Sequence, residues 1–271
     1  MTVRGGYVDG EWGQVHYRAA GQDGPWIGLF HESPLSSRVF EAVLEQLEGR
    51  ARVVAFDTPG YGASDPPPGP GQEIPDYARV LAAAASALGM RDAVFGGVHT
   101  GASLALEVPA AFDGGTAGLV LSGVALLSDD ERAEYLSGWT PPVPVDAEGS
   151  QFAWAVERYR RIWPGLTADL LQVAVVEVMR VVDRYEWGYQ AAFRHDPAGP
   201  LASTDLPVLL LDAEFDLLAD KDDIALQLAE DARLVTLPGL PGQPHLRAPD
   251  EYARELLAFA LACASSGERV P

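Results

Sequence analysis

Short apolar runs alternate with amphipathic segments along the first third and the last quarter of the chain. The apolar runs lie at residues 26–30, 52–56, 93–96, 119–121, 208–211 and 234–237, and residues 14–18 are a candidate for an earlier strand. Between and after them, apolar residues recur every three or four positions at residues 36–47, 76–88, 101–110 and 249–262, which is typical of helices. Continuous apolar strands that alternate with helices indicate a mostly parallel sheet covered on both faces. We therefore predict an α/β fold with a doubly wound sheet.

Residues 128–201 interrupt this alternation, because they carry helical spacing throughout and no convincing strand. Helices are predicted at residues 129–137, 151–163 and 168–193, the last of them capped by Thr167. We interpret residues 128–201 as a helical lid inserted into a core domain that residues 1–127 and 202–271 form. Ligands bind at the carboxyl ends of the strands in open parallel sheets, and a lid would lie there.

The inserted segment is rich in aromatic side chains. Any one of them is more often packing between the insertion and the core than a ligand contact. Taken together, they predict an apolar pocket wall. The candidates for that wall are Trp139, Trp154, Tyr159, Trp163 and Trp187.

Length and composition narrow the possible partners. A chain of 271 residues fits one large domain, and its net charge of −20 argues against a nucleic-acid partner, because phosphate binding needs basic clusters. No stretch approaches the roughly 20 apolar residues of a membrane span, and no apolar leader segment is visible. Cys263 is the single cysteine, so no internal disulfide can form and we expect a cytoplasmic protein. The expected partner is a small apolar molecule, and the sequence does not define an oligomeric state.

The most informative segment runs from Gly97 through Val, His99 and Thr to Gly101, between an apolar run and a helix. Small residues are needed on both sides where a strand turns sharply into a helix that packs closely on it. The central side chain of such a turn lies at a helix N-terminus, beside free backbone N–H groups. His99 is therefore the first candidate for a reacting group.

Four segments in order resemble motifs of α/β-hydrolases of the haloperoxidase, epoxide-hydrolase and esterase type, and the similarity covers about residues 10–262. Residues 30–34 (Phe-His-Glu-Ser-Pro) resemble the His-Gly-x-Pro oxyanion loop, and residues 56–65 resemble the Asp-x-x-Gly-x-Gly-x-Ser-Asp loop after the fourth strand. Residues 207–216 resemble the strand that delivers the catalytic acid. Residues 242–245 (Gly-Gln-Pro-His) resemble the loop that delivers the catalytic histidine. The resemblance implies an α/β-hydrolase fold.

The resemblance also implies roles for the residues that match. Asp216 would orient His245, which would act as general base or acid. The backbone N–H groups of Ser33 and Thr100 would form the oxyanion hole. Glu214 is the rival of Asp216, because it lies two residues earlier on the same side of an extended strand. This catalytic set requires no cofactor.

His99 departs from the family, which has a serine, cysteine or aspartate at this turn. A neutral imidazole can attack a carbonyl to form an acyl-imidazole, or it can act as a second general base on water. The helix N-terminus is expected to favour that neutral form. Ser103 offers an alternative frame, but it lies one turn into the helix, where its hydroxyl is expected to bond a helix carbonyl. A catalytically inactive turn is the remaining interpretation.

Glu32 is the second departure, because it replaces the glycine of the oxyanion motif. An ionised carboxylate there would repel the negative charge that develops on the substrate. The side chain either points outward toward Arg38 or is protonated or acts as an acid or base. His31 and Glu32 are thus candidates for acid–base or substrate contact. With His99 and His245 they could ligate a metal, but no closely spaced ligand pair occurs, so we expect none.

Three functions remain open. The first is hydrolysis of an ester-like or thioester-like carbonyl group in a small apolar metabolite, through a His99–His245–Asp216 set. The second is non-hydrolytic acid–base chemistry, such as C–C bond cleavage or formation, cyclisation or elimination, in a bacterial biosynthetic pathway. The third is a ligand-binding protein on a hydrolase scaffold that has lost its activity.

Overall fold

Eight strands form one sheet in the computed structural model, which describes residues 3–267. In spatial order the strands run β1-β2-β4-β3-β5-β6-β7-β8; β2 is antiparallel to both of its neighbours, β1 and β4, and all the other pairs are parallel. The predicted fold class is therefore confirmed. The strands are β1 (Arg4–Gly10), β2 (Gly13–Ala20), β3 (Trp26–Phe30), β4 (Arg52–Phe56), β5 (Ala93–Val98), β6 (Thr116–Ser122), β7 (Val208–Ala213) and β8 (Ala232–Leu237).

Strand β1 was not expected from the sequence. It is an edge strand that pairs only with β2, and its burial alternates between exposed and half-buried. Its residues, Arg-Gly-Gly-Tyr-Val-Asp-Gly, include three glycines and offer no apolar run. Pairing with β2 rather than burial holds this segment extended, so its hydrophobic pattern carries little signal.

Helices cover both faces of the sheet, in agreement with the doubly wound pattern. Helices α1 and α11 pack against each other on one face, and α2, α3 and α9 share the apolar cluster of the other. None of the helices among the described residues has the length and apolarity to cross a bilayer. The helices are α1 (Glu41–Leu47), α2 (Ile74–Ala87), α3 (Thr100–Glu107), α4 (Asp129–Gly138), α5 (Ser150–Ile162), α6 (Ala168–Met179), α7 (Glu186–Arg194), α8 (Ala198–Ser203), α9 (Asp222–Leu228), α10 (Pro244–Arg247) and α11 (Pro249–Gly267).

Helices α4 to α8 all lie between β6 and β7, and we call this segment the helical insertion. The prediction of one helix over residues 168–193 is wrong, because α6 and α7 are separate. Between them, the side chains of Arg180 and Arg184 bond the backbone oxygens of Gly62 and Gly60, at 3.0 and 2.8 Å. These tertiary bonds hold the connection in a turn. The Thr167 cap is confirmed, since its side chain accepts from the Leu170 N–H. That the insertion acts as a lid stays a prediction.

The loop after β4 is held by one buried carboxylate, Asp57. It accepts hydrogen bonds from the backbone N–H groups of Ser37 and Ala63, at 2.6 and 2.8 Å, and from His16 Nδ1 at 2.8 Å. Burial raises the pKa of Asp57, but the bond to His16 and the other donors outweigh it and lower the pKa to about 2. The aspartate of this motif therefore fixes loops beside the site and is fully engaged in doing so.

Candidate active site

The turn between β5 and α3 has the expected strained geometry, with His99 at φ +50°. A Cβ atom on Gly97 would collide with the backbone oxygen of Gly101, and one on Gly101 would collide with the backbone oxygen of Phe30 in β3. Both positions thus require glycine because the strand and the helix approach so closely. The turn presents the His99 side chain at the carboxyl edge of the sheet.

His99 binds Asp216 directly. Its Nε2 lies 3.0 and 3.1 Å from the two carboxylate oxygens of Asp216, and one of these oxygens also accepts the Leu218 N–H at 2.9 Å. Asp216 lies in the loop after β7, as the resemblance implied. Gly123 packs against the pair, since a Cβ atom there would lie 2.7 Å from His99 Nε2 and would strike Cδ2. The Asp216 carboxylate therefore pairs with the residue at the centre of the strained turn, which we call the elbow.

His245 does not bind Asp216, which corrects the expected pairing. It is fully buried in α10, and its Nε2 lies 3.4 Å from a carboxylate oxygen of Glu32. None of the two imidazole nitrogens and two carboxylate oxygens of this pair makes a well-aligned hydrogen bond with any described residue. Glu32, which stands where the motif has glycine, thus lies beside His245. The site contains two pairs, His99–Asp216 and His245–Glu32.

The two pairs shift one another's ionisation. Burial lowers the pKa of His99, but the charge and hydrogen bond of Asp216, with further help from Glu32 and Asp212, raise it to about 9. The expectation that the helix N-terminus keeps His99 neutral is therefore wrong at neutral pH. The carboxylates outweigh the helix end, whose effect is worth about 1 kcal/mol. Burial raises the pKa of Asp216, but His99 outweighs it and lowers the pKa.

Glu32 points inward, so the alternative in which it turns outward toward Arg38 is wrong. Its side chain is buried, and the Arg38 guanidinium instead lies 3.9 Å from Glu177. Burial raises the pKa of Glu32, but His245 and His99 outweigh it, and the net shift is downward. Glu32 is therefore a carboxylate at neutral pH rather than a protonated acid. Its charge faces two histidines, which offsets the repulsion expected at an oxyanion hole.

Three other candidates have structural partners or lie away from the site. His31 Nδ1 donates to the Glu32 backbone oxygen at 2.9 Å, and its Nε2 accepts the Thr58 N–H at 3.0 Å, so both nitrogens are engaged in loop structure. Ser103 is buried and, against expectation, its hydroxyl bonds no helix carbonyl or other described group. Glu214 accepts the Gly239 N–H at 2.7 Å. No group of three potential ligands among the described residues is arranged to hold a metal ion.

Two small cavities meet at His99 under the helical insertion. The apolar cavity, of about 60 Å³, is bounded by Thr100 and by aromatic and aliphatic side chains that include Phe193. The polar-edged cavity, of about 50 Å³, is bounded by Glu32 and Ser33. His99 lines both cavities, and its side chain is 22% exposed. The cavities thus share two titratable residues, His99 and Tyr189, and burial raises the pKa of the Tyr189 phenol.

The aromatic candidates divide between the wall and the packing. Trp139 lines both cavities and Trp163 lines the polar-edged one. Tyr159 is buried in the core and packs against Trp163, with ring centroids 5.1 Å apart. Trp154 lines a separate cavity on the insertion, and Trp187 borders neither cavity at His99. The helical pattern of the sequence does not distinguish these positions, because they lie in or beside different helices whose packing the pattern does not give.

The residues of the expected oxyanion donors border the two cavities at His99. The backbone N–H groups of Ser33 and Thr100 have no acceptor among the residues that the structure describes. Ser33 lines the polar-edged cavity and Thr100 lines the apolar one, on the two sides of His99. Unpaired donors beside a reacting group are the arrangement that stabilises a developing oxyanion.

The sequence did not point to two residues that support His99. The Asp212 carboxylate, buried at the end of β7, accepts the Gly123 N–H at 2.7 Å and so fixes the glycine that packs on His99. Burial raises the pKa of Asp212 well above its ordinary value, and the nearby Asp222 and Asp216 add to that rise. Asp212 ends an apolar run of strand residues, and Gly123 follows a strand. Neither position has a signal of its own in one sequence.

Comparisons with known proteins agree with this architecture. A sequence model of the α/β hydrolase family matches residues 24–256. Haloalkane dehalogenase 2 of Mycobacterium tuberculosis is 36% identical over 84 residues, which cover 31% of this chain and 29% of the dehalogenase. The match thus spans less than a third of that relative's length.

Two solved structures share the fold over nearly the whole chain. Epoxide hydrolase A from Mycobacterium thermoresistibile superposes with a TM-score of 0.77 at 20% identity, covering 95% of this chain and 98% of the other. An E-2-(acetamidomethylene)succinate hydrolase does so with a TM-score of 0.77 at 20% identity, covering 95% and 99%. The family match over most of the chain, the sheet order and the strained turn lead to one conclusion: this chain belongs to the α/β hydrolase family.

Proposed function

We propose that the protein is a hydrolase that activates water for attack on the carbonyl group of a small, largely apolar ester or thioester. One observation carries the proposal: His99, on the strained turn, is bonded to Asp216 and open to an apolar cavity beside two unpaired backbone N–H groups. The hydrolases among the similar proteins are consistent with this class of reaction.

Asp216 sets which nitrogen of His99 reacts. Because a carboxylate accepts from Nε2–H, the Nδ1 of neutral His99 keeps its lone pair. Nδ1 has no hydrogen-bond partner among the described residues. It is therefore the nitrogen that takes a proton from water as the oxygen attacks the carbonyl carbon.

The intermediate then carries negative charge on the former carbonyl oxygen, and the N–H groups of Ser33 and Thr100 stabilise it. As the intermediate collapses, the C–O or C–S bond to the leaving group breaks, and His99 Nδ1–H returns its proton to that group. The enzyme ends unchanged, and the products are a carboxylic acid and an alcohol or thiol.

Water is preferred over His99 as the attacking group for a physical reason. With a pKa of about 9, only about one His99 in a hundred is neutral at pH 7. This scarcity limits both roles equally, but an attacking Nδ1 must itself come within bonding distance of the carbonyl carbon. A base needs only to touch a water molecule, and its high pKa makes it strong in its neutral form.

The size of the cavities limits the substrate. Volumes of about 60 and 50 Å³ hold only a few atoms, whereas drug-sized ligands fill roughly 300–1,000 Å³. A substrate larger than a short acyl group therefore requires the helical insertion to move outward. This is the sense in which the insertion would act as a lid.

The test is hydrolysis of p-nitrophenyl acetate and butyrate by the wild type, His99→Ala and Ser103→Ala. His99→Ala is expected to lose about a hundredfold or more in kcat, as general-base removal does. Ser103→Ala is the matched control and is expected to keep wild-type activity, because Ser103 is buried and lines neither cavity at His99. Full activity in His99→Ala, or its loss only in Ser103→Ala, would refute the proposal.

A further inference from the structure

We propose that the Arg158 guanidinium, in helix α5 of the helical insertion, binds a carboxylate group of the substrate. This inference rests on the proposed hydrolase function and adds the substrate's second functional group to it. Arg158 is only 3% exposed, and a buried charge without a counterion destabilises the fold unless another group compensates.

Arg158 lacks such a counterion within the part of the chain that the structure describes. Other arginines pair with carboxylates, namely Arg38, Arg79, Arg184, Arg194 and Arg254. Arg158 Nη1 donates to the Trp139 backbone oxygen at 3.0 Å, whereas its Nε and Nη2 have no acceptor at bonding geometry. Two N–H donors on adjacent nitrogens are the fork that binds a carboxylate bidentately.

Four aromatic rings surround the guanidinium. Its central carbon lies 5.6 Å from the ring centroids of Trp139 and Trp154, and 5.7 Å from those of Tyr185 and Tyr189. These rings lower the cost of burying the positive charge. They do not accept the in-plane N–H bonds of Nε and Nη2, so the donors stay unsatisfied. Burial raises the pKa of Tyr189, and both the charge of Arg158 and a hydrogen bond from its side chain to the phenol oppose that rise, but a neutral phenol is no counterion.

The position of Arg158 ties it to the candidate active site. Trp139 and Tyr189 contact the guanidinium on one side and line both cavities at His99 on the other. Arg158 also lines a cavity of about 440 Å³ on the insertion, with Arg161, Trp154 and Glu157. Two arginines and one glutamate leave this cavity with a net positive charge. The guanidinium therefore lies one aromatic ring away from His99. Its Nε and Nη2 are buried, so an anion reaches them only if the surrounding aromatic side chains move aside.

The substrate inferred from this arrangement carries its reacting carbonyl at His99 and a carboxylate at Arg158, with an apolar link against Trp139 and Tyr189. Binding the carboxylate satisfies both unpaired N–H groups and supplies the missing counterion. It also gives a protein with a net charge of −20 a specific way to hold an anion.

The test uses two esters of equal chain length, the p-nitrophenyl monoester of glutaric acid and p-nitrophenyl pentanoate. They differ only in a terminal carboxylate against a methyl group, and rates are corrected for hydrolysis without enzyme. The wild type is expected to prefer the glutarate monoester about tenfold or more in kcat/KM, through a lower KM. Arg158→Met is expected to remove that preference by raising the KM for the glutarate monoester, with kcat for both esters nearly unchanged.

Two further variants distinguish recognition of the substrate carboxylate by Arg158 from an effect of Arg158 on packing or on the protein's net charge. Arg158→Lys keeps the charge and is expected to retain part of the preference. Arg160→Met removes the same charge from an exposed neighbour in α5 and is expected to retain all of it. An equal loss for both esters in Arg158→Met, or no preference in the wild type, would show that Arg158 only packs the insertion.

Calorimetric titration with glutarate makes the outcome independent of ester hydrolysis. Binding to the wild type that is absent in Arg158→Met supports the carboxylate site even if no ester is hydrolysed, in which case only the proposed function fails. No binding to the wild type, or equal binding to Arg158→Met, overturns the inference. Thermal unfolding of each variant confirms that it is folded before binding is compared.

Discussion

Asp216→Asn is expected to lower the pKa of His99 from about 9 to near or below its ordinary value of 6.5. In the native protein burial lowers this pKa, and the charge and hydrogen bond of Asp216 are the largest opposing contributions. Asparagine keeps the volume of the side chain and removes its charge. Burial then opposes only the weaker contributions of Glu32 and Asp212.

The magnitude follows from the two pKa values. The difference between about 9 and 6.5 corresponds to about 3 kcal/mol in favour of the His99 cation in the folded state. Because the folded-state pKa is raised, this stabilisation is fully present below pH 6.5 and is lost as the pH rises through about 9. The wild type is therefore expected to lose up to about 3 kcal/mol of unfolding free energy across that window, and Asp216→Asn much less.

Two assays check this expectation. Imidazole NMR resonances followed between about pH 5 and 10 give the pKa directly, and His99→Gln identifies the His99 signal among the chain's five histidines. Urea unfolding at the two ends of the window gives the stability change. Glu214→Gln is the matched control, since it removes an equal charge two residues away on an exposed side chain. A His99 pKa that is the same in Asp216→Asn and the wild type would refute the reasoning.

Three further predictions concern the surroundings of His99. Gly123→Ala places a Cβ atom 2.7 Å from His99 Nε2, at a backbone φ of +65°. This variant should lower kcat about a hundredfold, and circular dichroism should show that the fold is retained. A wild-type kcat in Gly123→Ala would contradict the close packing. Glu32→Gln removes a charge that raises the His99 pKa, so the rising limb of the pH–rate profile should move to lower pH; an unmoved limb would exclude this coupling. Glu107→Ala breaks the 2.8 Å bond to buried His195 Nε2, and urea unfolding should show a loss of about 1–3 kcal/mol; no loss would mean that the bond contributes nothing net.

The fold was predictable because its signals are local. Each parallel strand is a continuous apolar run. The turn at His99 is recognisable from Gly97 and Gly101, where a Cβ atom would strike a backbone oxygen. The split between α6 and α7 was not predictable from periodicity. Arg180 and Arg184 set it by bonding backbone oxygens of a loop more than a hundred residues earlier.

The positions of His99, Asp216 and His245 were predictable, but their pairing and the supporting residues Asp212 and Gly123 were not. The resemblance brought His99, Asp216 and His245 to one edge of the sheet, where the structure has them. Which carboxylate meets which histidine depends on side-chain placement across four loops, and the family pattern has no glutamate at the position of Glu32. The sequence also does not identify Arg158 as a candidate binding residue, because its two unpaired N–H groups are evident only from the positions of its neighbours in the structure.

The pairing has a consequence for attempts to restore a serine-type site, and it supplies the last prediction. A serine at the elbow needs a histidine base that is itself held by Asp216. His245 is instead fully buried 3.4 Å from Glu32, although it lies close enough to Asp216 to contribute to lowering that residue's pKa. His99→Ser alone is therefore expected to show no more hydrolysis of p-nitrophenyl butyrate than His99→Ala.

The double variant Glu32→Gly, His99→Ser should behave differently. It removes the neighbour of His245 and frees Asp216 from His99 at the same time, so His245 can turn toward Asp216 and serve the new serine. Accumulation of an acyl-enzyme, seen as a burst of p-nitrophenol, is the signature expected of this variant alone. A burst in the single His99→Ser variant would show that Glu32 does not hold His245. The two departures from the family, His99 and Glu32, would then act independently rather than together.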